Sequence, residues 1–405
     1  SSVTWDPDSY TNGEIYVGTA SNPDLTIGNG GHLTIWPGAT IIMATTLSDL
    51  IITGTGRITA DAVSTNQITF TRKSGNDHWG HISFESMGSA GSSIFDNCRI
   101  EYGDVSNQSG VASYGGCIYA GSGNISITKC TLYNSKAKYG GGIFVGSNSS
   151  VSINNCILEL NNATTFGGGA YIAGSTTIVN NCLIKDNTSY KGGGIYFNVS
   201  SPTIKNCLIF LNDASSNGSG IFLYKCGSET NIINSTIAQN TSSGSALDFE
   251  FTGETGKIIK IKNSIIWGSS LGSIDNSIVS IINTAIQGLA NPSDHTDSFS
   301  LSASNSAVNG PNFNATDGSD WSIKFISPCR DTGTDSGAPS TDYDGESRIG
   351  TTDIGAYEVQ YSRWDGSAGT SWSTDANWEE DINPGSSDAD VIIPSGLDDY
   401  PTSGS

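Results

Sequence analysis

Tyr139-Gly-Gly-Gly-Ile-Phe144, followed by Ile153-Asn-Asn-Cys-Ile-Leu158, comes back as Phe166-Gly-Gly-Gly-Ala-Tyr171 and Val179-Asn-Asn-Cys-Leu-Ile184. Cys130, Cys156, Cys182 and Cys207 mark this repeat at steps of 26, 26 and 25 residues. The same slot extends outward as Cys98, Ser235, Ser264 and Thr284, and Asn precedes it everywhere except at Lys129. Three residues before the slot stands an apolar residue, from Phe95 and Ile127 through to Ile261 and Ile281; two after it stands another, from Ile100 and Leu132 to Ile266 and Ile286. The Gly motif keeps phase as Tyr114-Gly-Gly-Cys-Ile-Tyr119, Lys191-Gly-Gly-Gly-Ile-Tyr196 and Asn217-Gly-Ser-Gly-Ile-Phe222.

Alternation with period two means strands, and self-similarity near 26 residues means a solenoid. One coil cannot bury its own apolar side, but coils stacked at about 4.8 Å bury a continuous column. Asn suits a bend because it tolerates the left-handed conformation, and its amide can bond the Asn of the next coil. The Gly triplets suit a second bend where a Cβ would clash. The fold class expected is all-β, a right-handed parallel β-helix, since parallel crossovers are almost always right-handed.

Composition agrees. The 405 residues hold 50 Gly, 36% apolar and only 14% charged residues, too few helix formers for a bundle. No apolar run approaches the ~18 residues of a membrane span. The net charge of −21 argues against a nucleic-acid partner. Residues 291–405 carry 20 Asp+Glu against 4 Lys+Arg, so the acid is concentrated at one end. The expected organisation is an N-terminal cap over 1–30 and a β-helix of roughly ten coils over 31–290. An acidic C-terminal cap over 291–360 and a Trp-rich tail, with a short β extension, over 361–405 complete it. The cysteines read as buried free thiols in a tight inward corner, with Cys117, Cys226 and Cys329 outside the ladder.

The Gly-Gly-Gly-Ile-Tyr and Asn-Cys-x-Ile repeats resemble those of right-handed parallel β-helix bacterial surface proteins, including the GGAI and FxxN repeats of polymorphic outer membrane proteins. Leu160-Asn161, Asp186-Asn187, Leu211-Asn212 and Gln239-Asn240 hold the Asn of the second motif. Asp342-Tyr-Asp-Gly-Glu-Ser-Arg348, then Asp353-Ile-Gly-Ala-Tyr-Glu358, is similar to the end signature of choice-of-anchor Q-type proteins. The resemblance implies secretion or cell-surface display and no single activity.

Several rows are candidate sites. Tyr119, Phe144, Tyr171, Tyr196 and Phe222 alternate with apolar neighbours. If those neighbours point in, this aromatic row points out, to stack on sugar rings, to pack on another chain, or only on itself. A second outward row, Ile157, Leu183, Leu208 and later Ile265, needs cover from a loop, the tail or a partner. The slot beyond the inner row reads Glu101, Tyr133, Glu159, Lys185, Phe210, Ala238, Trp267 and Gln287. It offers no carboxylate pair on adjacent coils, and Glu159 beside Lys185 reads as an ion pair. Asp342 and Asp344 hold part of a Ca²⁺ loop, but a full loop needs more ligands, so a turn is the plainer reading. No cofactor is expected unless it is calcium, held diffusely by the acidic tail. His78 and His81 read as structural.

Trp364, Trp372 and Trp378 resemble the lead-in to a further β-helical segment, or form a tail that docks on the next subunit. The expected function is a secreted or cell-surface structural or adhesive protein, with partners that are other copies of itself or extracellular polysaccharide. The alternatives are a polysaccharide lyase or glycoside hydrolase, and a non-catalytic carbohydrate-binding protein.

Overall fold

A computed structural model describes residues 2–62, 66–88, 92–174, 176–227, 230–242, 245–250, 259–268, 271–272, 279–288, 298–301, 310–316, 319–324, 327–359, 362–364, 369, 371, 373–374 and 391–393. Strands pair in parallel with the same segment one coil away. Ile143, Phe144 and Val145 pair Ala170, Tyr171 and Ile172, and Leu158 pairs Ile184. The pairings build sheets of 18, 12 and 5 strands that run along a right-handed β-solenoid. The 12-stranded sheet takes one strand per coil, from Glu14–Val17 to Phe299–Leu301, and ten of them lie between Thr40 and Gln287.

The bends fall where the sequence puts them. Asn97, Asn155, Asn181, Asn206, Asn234, Asn263 and Asn283 all have φ between 43° and 54°, and so does the exceptional Lys129, at 51°. Lys pays a steric cost there that Asn largely escapes. A second left-handed corner follows at Leu160, Asp186, Leu211 and Gln239, and a third at the first Gly of each triplet. The triplets are glycine because the coils touch there: a Cβ on Gly168 would lie 2.3 Å from the Gly193 carbonyl oxygen.

Between corners, both apolar rows point inward. Phe95 through Ile281 and Ile100 through Ile286 lie buried in one column, each side chain contributing about 1.5–3 kcal/mol of burial. The Cys slot lines this column. All eight cysteines are buried and free. Each ladder thiol donates to a carbonyl of the preceding coil, as Cys156 does to Ile127 at 3.4 Å and Cys182 to Ile153 at 3.5 Å. Burial pushes the Cys117 and Cys329 thiols up to about 12, so neither is a thiolate near neutrality. Ser235 and Ser264 occupy the same slot and donate within their own coil, to the Ile233 and Lys262 carbonyls, as Cys182 also does to Asn180. Cys182→Ser should therefore cost no more than about 1–2 kcal/mol. Unreduced and reduced protein should melt at the same temperature.

At the Cys slot the amides meet in pairs, Asn206 Nδ2 donating to Asn181 Oδ1 and Asn263 Nδ2 to Asn234 Oδ1, each at 3.2 Å, while an unbroken amide ladder runs at the second motif. Asn161 Nδ2 donates to Asn187 Oδ1 (3.1 Å), Asn187 to Asn212 (2.9 Å) and Asn212 to Asn240 (2.9 Å). Asn161, Asn187, Asn212 and Asn240 are buried, and each also donates to a carbonyl: Leu132, Leu158, Ile184 and Ile209 in turn.

The expected N-terminal cap is corrected. Residues 1–30 do not cover the end of the rod but form its first rung: Ser2–Trp5 pairs His32–Ile35, Glu14–Val17 pairs Thr40–Met43, and Leu25–Ile27 pairs Leu50–Ile52. The alternation in Glu-Ile-Tyr-Val and Leu-Thr-Ile is the same strand signal as in the later coils. Within 291–360, Phe299–Leu301 adds a last rung to the 12-stranded sheet. The described residues of 311–359 run back along the flank of that sheet as a strap. Of the β extension, Ser362–Arg363 pairs in parallel with Val391–Ile392. No helix among the described residues is long and apolar enough to cross a membrane.

Candidate functional site

Three outward faces of the rod carry the candidate residues, and each has a different fate. On the first, the Gly corner turns the chain so that the leading aromatic of one motif lies on the trailing aromatic of the next coil. Phe144 and Tyr171 stack at 5.1 Å and 5°, Tyr171 and Tyr196 at 5.3 Å and 3°, Tyr196 and Phe222 at 5.2 Å and 11°. Tyr119 joins at 5.4 Å, with His81 stacked beyond it at 6.2 Å. Over this row lies another: Tyr114 on Phe144 (4.8 Å), Tyr139 on Tyr171 (5.4 Å) and Phe166 on Tyr196 (4.6 Å). In the next coil Lys191 fills the same place, its Nζ 4.6 Å from the Phe222 ring.

Phe144, Tyr196 and Phe222 are consequently buried, while Tyr119 and Tyr171 are half-buried. Burial pushes the Tyr171 hydroxyl up to about 12. The ring faces along the inner row are taken by ring neighbours, so the row offers edges and hydroxyls outward. The second, covering row is legible in hindsight, because Tyr114, Tyr139 and Phe166 open the quoted motifs.

On the second face, the aliphatic row is covered by the chain itself. Leu208, Phe210, Ile265 and Trp267 are buried under Phe313, Trp321, Ile323, Ile354 and Ala356 of the strap, and Leu183 lies at its margin. Ile157, one coil further, is half-exposed. The Asn of the Cys slot fastens the strap. Asn181 Nδ2 donates to the Asp342 and Tyr343 carbonyls, and Asn206 to Thr341. Asn234 donates to Asp353, Asn263 to Thr334 and Asn283 to Thr332.

The segments Asp342–Arg348 and Asp353–Glu358 form a knot that shapes the strap. Asp342 accepts from the amides of Asp344, Glu346 and Glu358, which makes Asp342-x-Asp344-Gly345 a turn held by its own carboxylate. Among the described residues, no three His, Cys, Asp or Glu side chains are grouped to hold a metal ion. Asp353 accepts from the Asp331 and Val359 amides, and Glu358 from the Ile349 and Asp353 amides. Arg348 donates to Glu358 (2.8 Å), to Asn206 Oδ1 (3.1 Å) and to the Gly355 and Ala356 carbonyls. Gly355 is the close approach: a Cβ there would lie 2.8 Å from Ile265 Cδ1, at a φ of 117°.

This knot is acidic and buried. Burial, with the Glu358 charge second, pushes the Asp353 carboxyl up to about 7; burial raises Glu358 as well. A carboxyl whose folded value is raised stabilises the fold fully below its unfolded value near 4 and loses that contribution as pH climbs through about 7. Strap docking should therefore weaken by about 2–4 kcal/mol between pH 4 and 9. Trp321 emission, followed against denaturant at several pH values, reads it, and Asp353→Asn should flatten the dependence.

The third face holds the charged slot. Glu159 and Lys185 meet at 2.9 Å across adjacent coils, and Arg99 and Glu101 meet at 2.5 Å. Glu101, Tyr133 and Glu159 are in register on consecutive coils. Such part-exposed pairs contribute little, typically up to about 1 kcal/mol. Trp364 is fully buried, whereas Trp372 and Trp378 lie outside the described residues.

A family model described as a right-handed beta helix region matches residues 35–197 and 115–286, together most of the chain. The chain belongs to this family of β-helix proteins. No curated protein matches it.

Proposed function

We propose that this chain is a secreted or cell-surface β-helix protein of structural or adhesive role, of the bacterial surface type that its repeats and end signature resemble. The observation that carries the reading is the fate of the outward rows. One closes on itself, one lies under the chain's own strap, and the slot with carboxylates is tied into ion pairs. Such a surface supports a rigid presenting rod better than a cleft with a free acid and base. Assembly with other copies, end to end or side by side, extends the same reading. Ser2–Trp5, Glu14–Val17 and Leu25–Ile27 pair on one side among the described residues, and Val3 is 51% exposed. A strand edge of that kind accepts a further rung, from the same polypeptide or from a second copy. Negative-stain electron microscopy over a range of concentrations, with and without calcium, tests the assembly. Filaments or end-to-end pairs support it, and dispersed monomers in every condition reject it.

The second reading is a glycan-active β-helix. Glu101 and Glu159 share one outward slot two coils apart, about 9–10 Å by strand spacing. That is near the upper limit for an inverting acid and base, about 9.5 Å. Turnover of any polysaccharide that Glu159→Gln abolishes would establish this reading in place of the first.

A further inference from the structure

The coils that carry the aromatic flank are the basic part of the chain. Residues 114–225 contain seven Lys against Glu159, Asp186 and Asp213, a net +4 in a chain of net −21. Two of those lysines stand over the aromatic rows, and a third over Tyr224, which lies 6.5 Å from Tyr196 beside them. Lys138 Nζ is 5.6 Å from the Tyr139 ring centre, Lys225 is 5.2 Å from Tyr224, and Lys191 is 4.6 Å from Phe222. Lys191 is held by Glu250 at 3.0 Å, while Lys138 and Lys225 have no carboxylate partner among the described residues.

The stacking geometry fixes what the rings can offer. Interplanar angles of 3–11° between coils from Tyr171 to Phe222 consume the ring faces on one another. Their edges carry the positive side of the quadrupole and, in Tyr119 and Tyr171, a phenol hydroxyl. Edges, hydroxyls and ammonium groups repeated along the rod favour an acceptor-rich, negatively charged chain, not a neutral sugar seeking a ring face. We propose that this flank binds an anionic polysaccharide lying along the rod axis, its carboxylate or sulfate groups met by Lys138 and Lys225 and its hydroxyls by the tyrosine edges. The inference rests on the adhesive reading above and names its ligand class.

Co-sedimentation or affinity electrophoresis of the full chain with alginate and with dextran sulfate tests it. Neutral dextran and duplex DNA are the controls. Binding to at least one anionic glycan is expected, weakened by added salt, absent with dextran and much weaker with DNA. K138A/K225A should lose at least tenfold in affinity with an unchanged melting temperature, and Lys73→Ala, away from this flank, should lose nothing.

No binding to either anionic glycan overturns the proposal, as does equal binding to DNA or dextran. Undiminished binding by the double variant also overturns it. Self-association without glycan that the double variant abolishes, with no glycan bound, would give the flank to an acidic segment of a second copy instead. Filament formation in the microscope is read separately, so glycan binding can fail while the assembly reading stands.

Discussion

Arg348→Ala should release the strap, at a cost of about 3–5 kcal/mol, because it strands a buried carboxylate. The Arg348 and Glu358 side chains are 4% and 1% exposed, and the guanidinium also bonds Asn206 of the coil beneath. One side chain thus joins the knot inside the strap to the Asn track outside it. Arg348→Lys should rescue little, since an ammonium cannot reach Glu358, Asn206 and two carbonyls from one planar fork. The coils have their own column of apolar residues, so the loss should appear as early release of the strap, with the rod melting later. Trp321, its ring 5.2 Å from that of Phe210, should red-shift in that first step, and Leu208, Ile265 and Trp267 should become accessible to a hydrophobic dye. A single melting transition as high as that of the unaltered protein would show that the strap is not fastened in this way.

Asn187→Ala should damage the rod itself. The side chain accepts from the Asn161 amide and Nδ2 and donates to Asn212 and the Leu158 carbonyl. Its removal leaves the Asn161 amide without its partner and takes one bond each from the Leu158 carbonyl, from Asn161 Nδ2, which keeps Leu132, and from Asn212 Oδ1, which keeps the Asn187 amide. At about 1–3 kcal/mol for the unsatisfied amide and about 0.5–1.5 kcal/mol for each further bond lost, the loss is about 3–5 kcal/mol. In a solenoid stability is shared between neighbouring coils, so the damage should spread to Leu158 and Ile209 and fade towards the first coils. Hydrogen exchange resolved by segment reads this directly. A loss confined to one coil, or below 1 kcal/mol, would contradict the ladder.

The coils were legible because their cause is local and repeated. An Asn or Gly at a fixed phase is a statement about backbone conformation, and the inward rows follow from alternation. Even Lys129 obeys the phase of its neighbours, because the coils on either side impose the bend. The strap was not legible for the opposite reason. Its contacts join residues such as Asn206 and Thr341, far apart in sequence and without periodicity. The outward row Leu183, Leu208 and Ile265 signalled that some cover was needed, but not which segment supplies it. The Asn of the Cys slot has a second use that no bend requires: in the coils beneath the strap its amide turns outward to hold it. The ring orientation was also hidden, since alternation tells which way a side chain points and not which part of it faces water.

Spin-label distances along one outward row test the stacking of coils most directly. Asp61 and Asn154 are three rungs apart by register, Asp61 and Asn180 four, Asp61 and Lys205 five. Cysteines placed in these pairs can be labelled selectively, because all eight native thiols are buried. Distances of about 14, 19 and 24 Å, rising by about 5 Å for each added coil, are expected. Distances that fail to grow with the number of coils would mean that the chain does not wind as described.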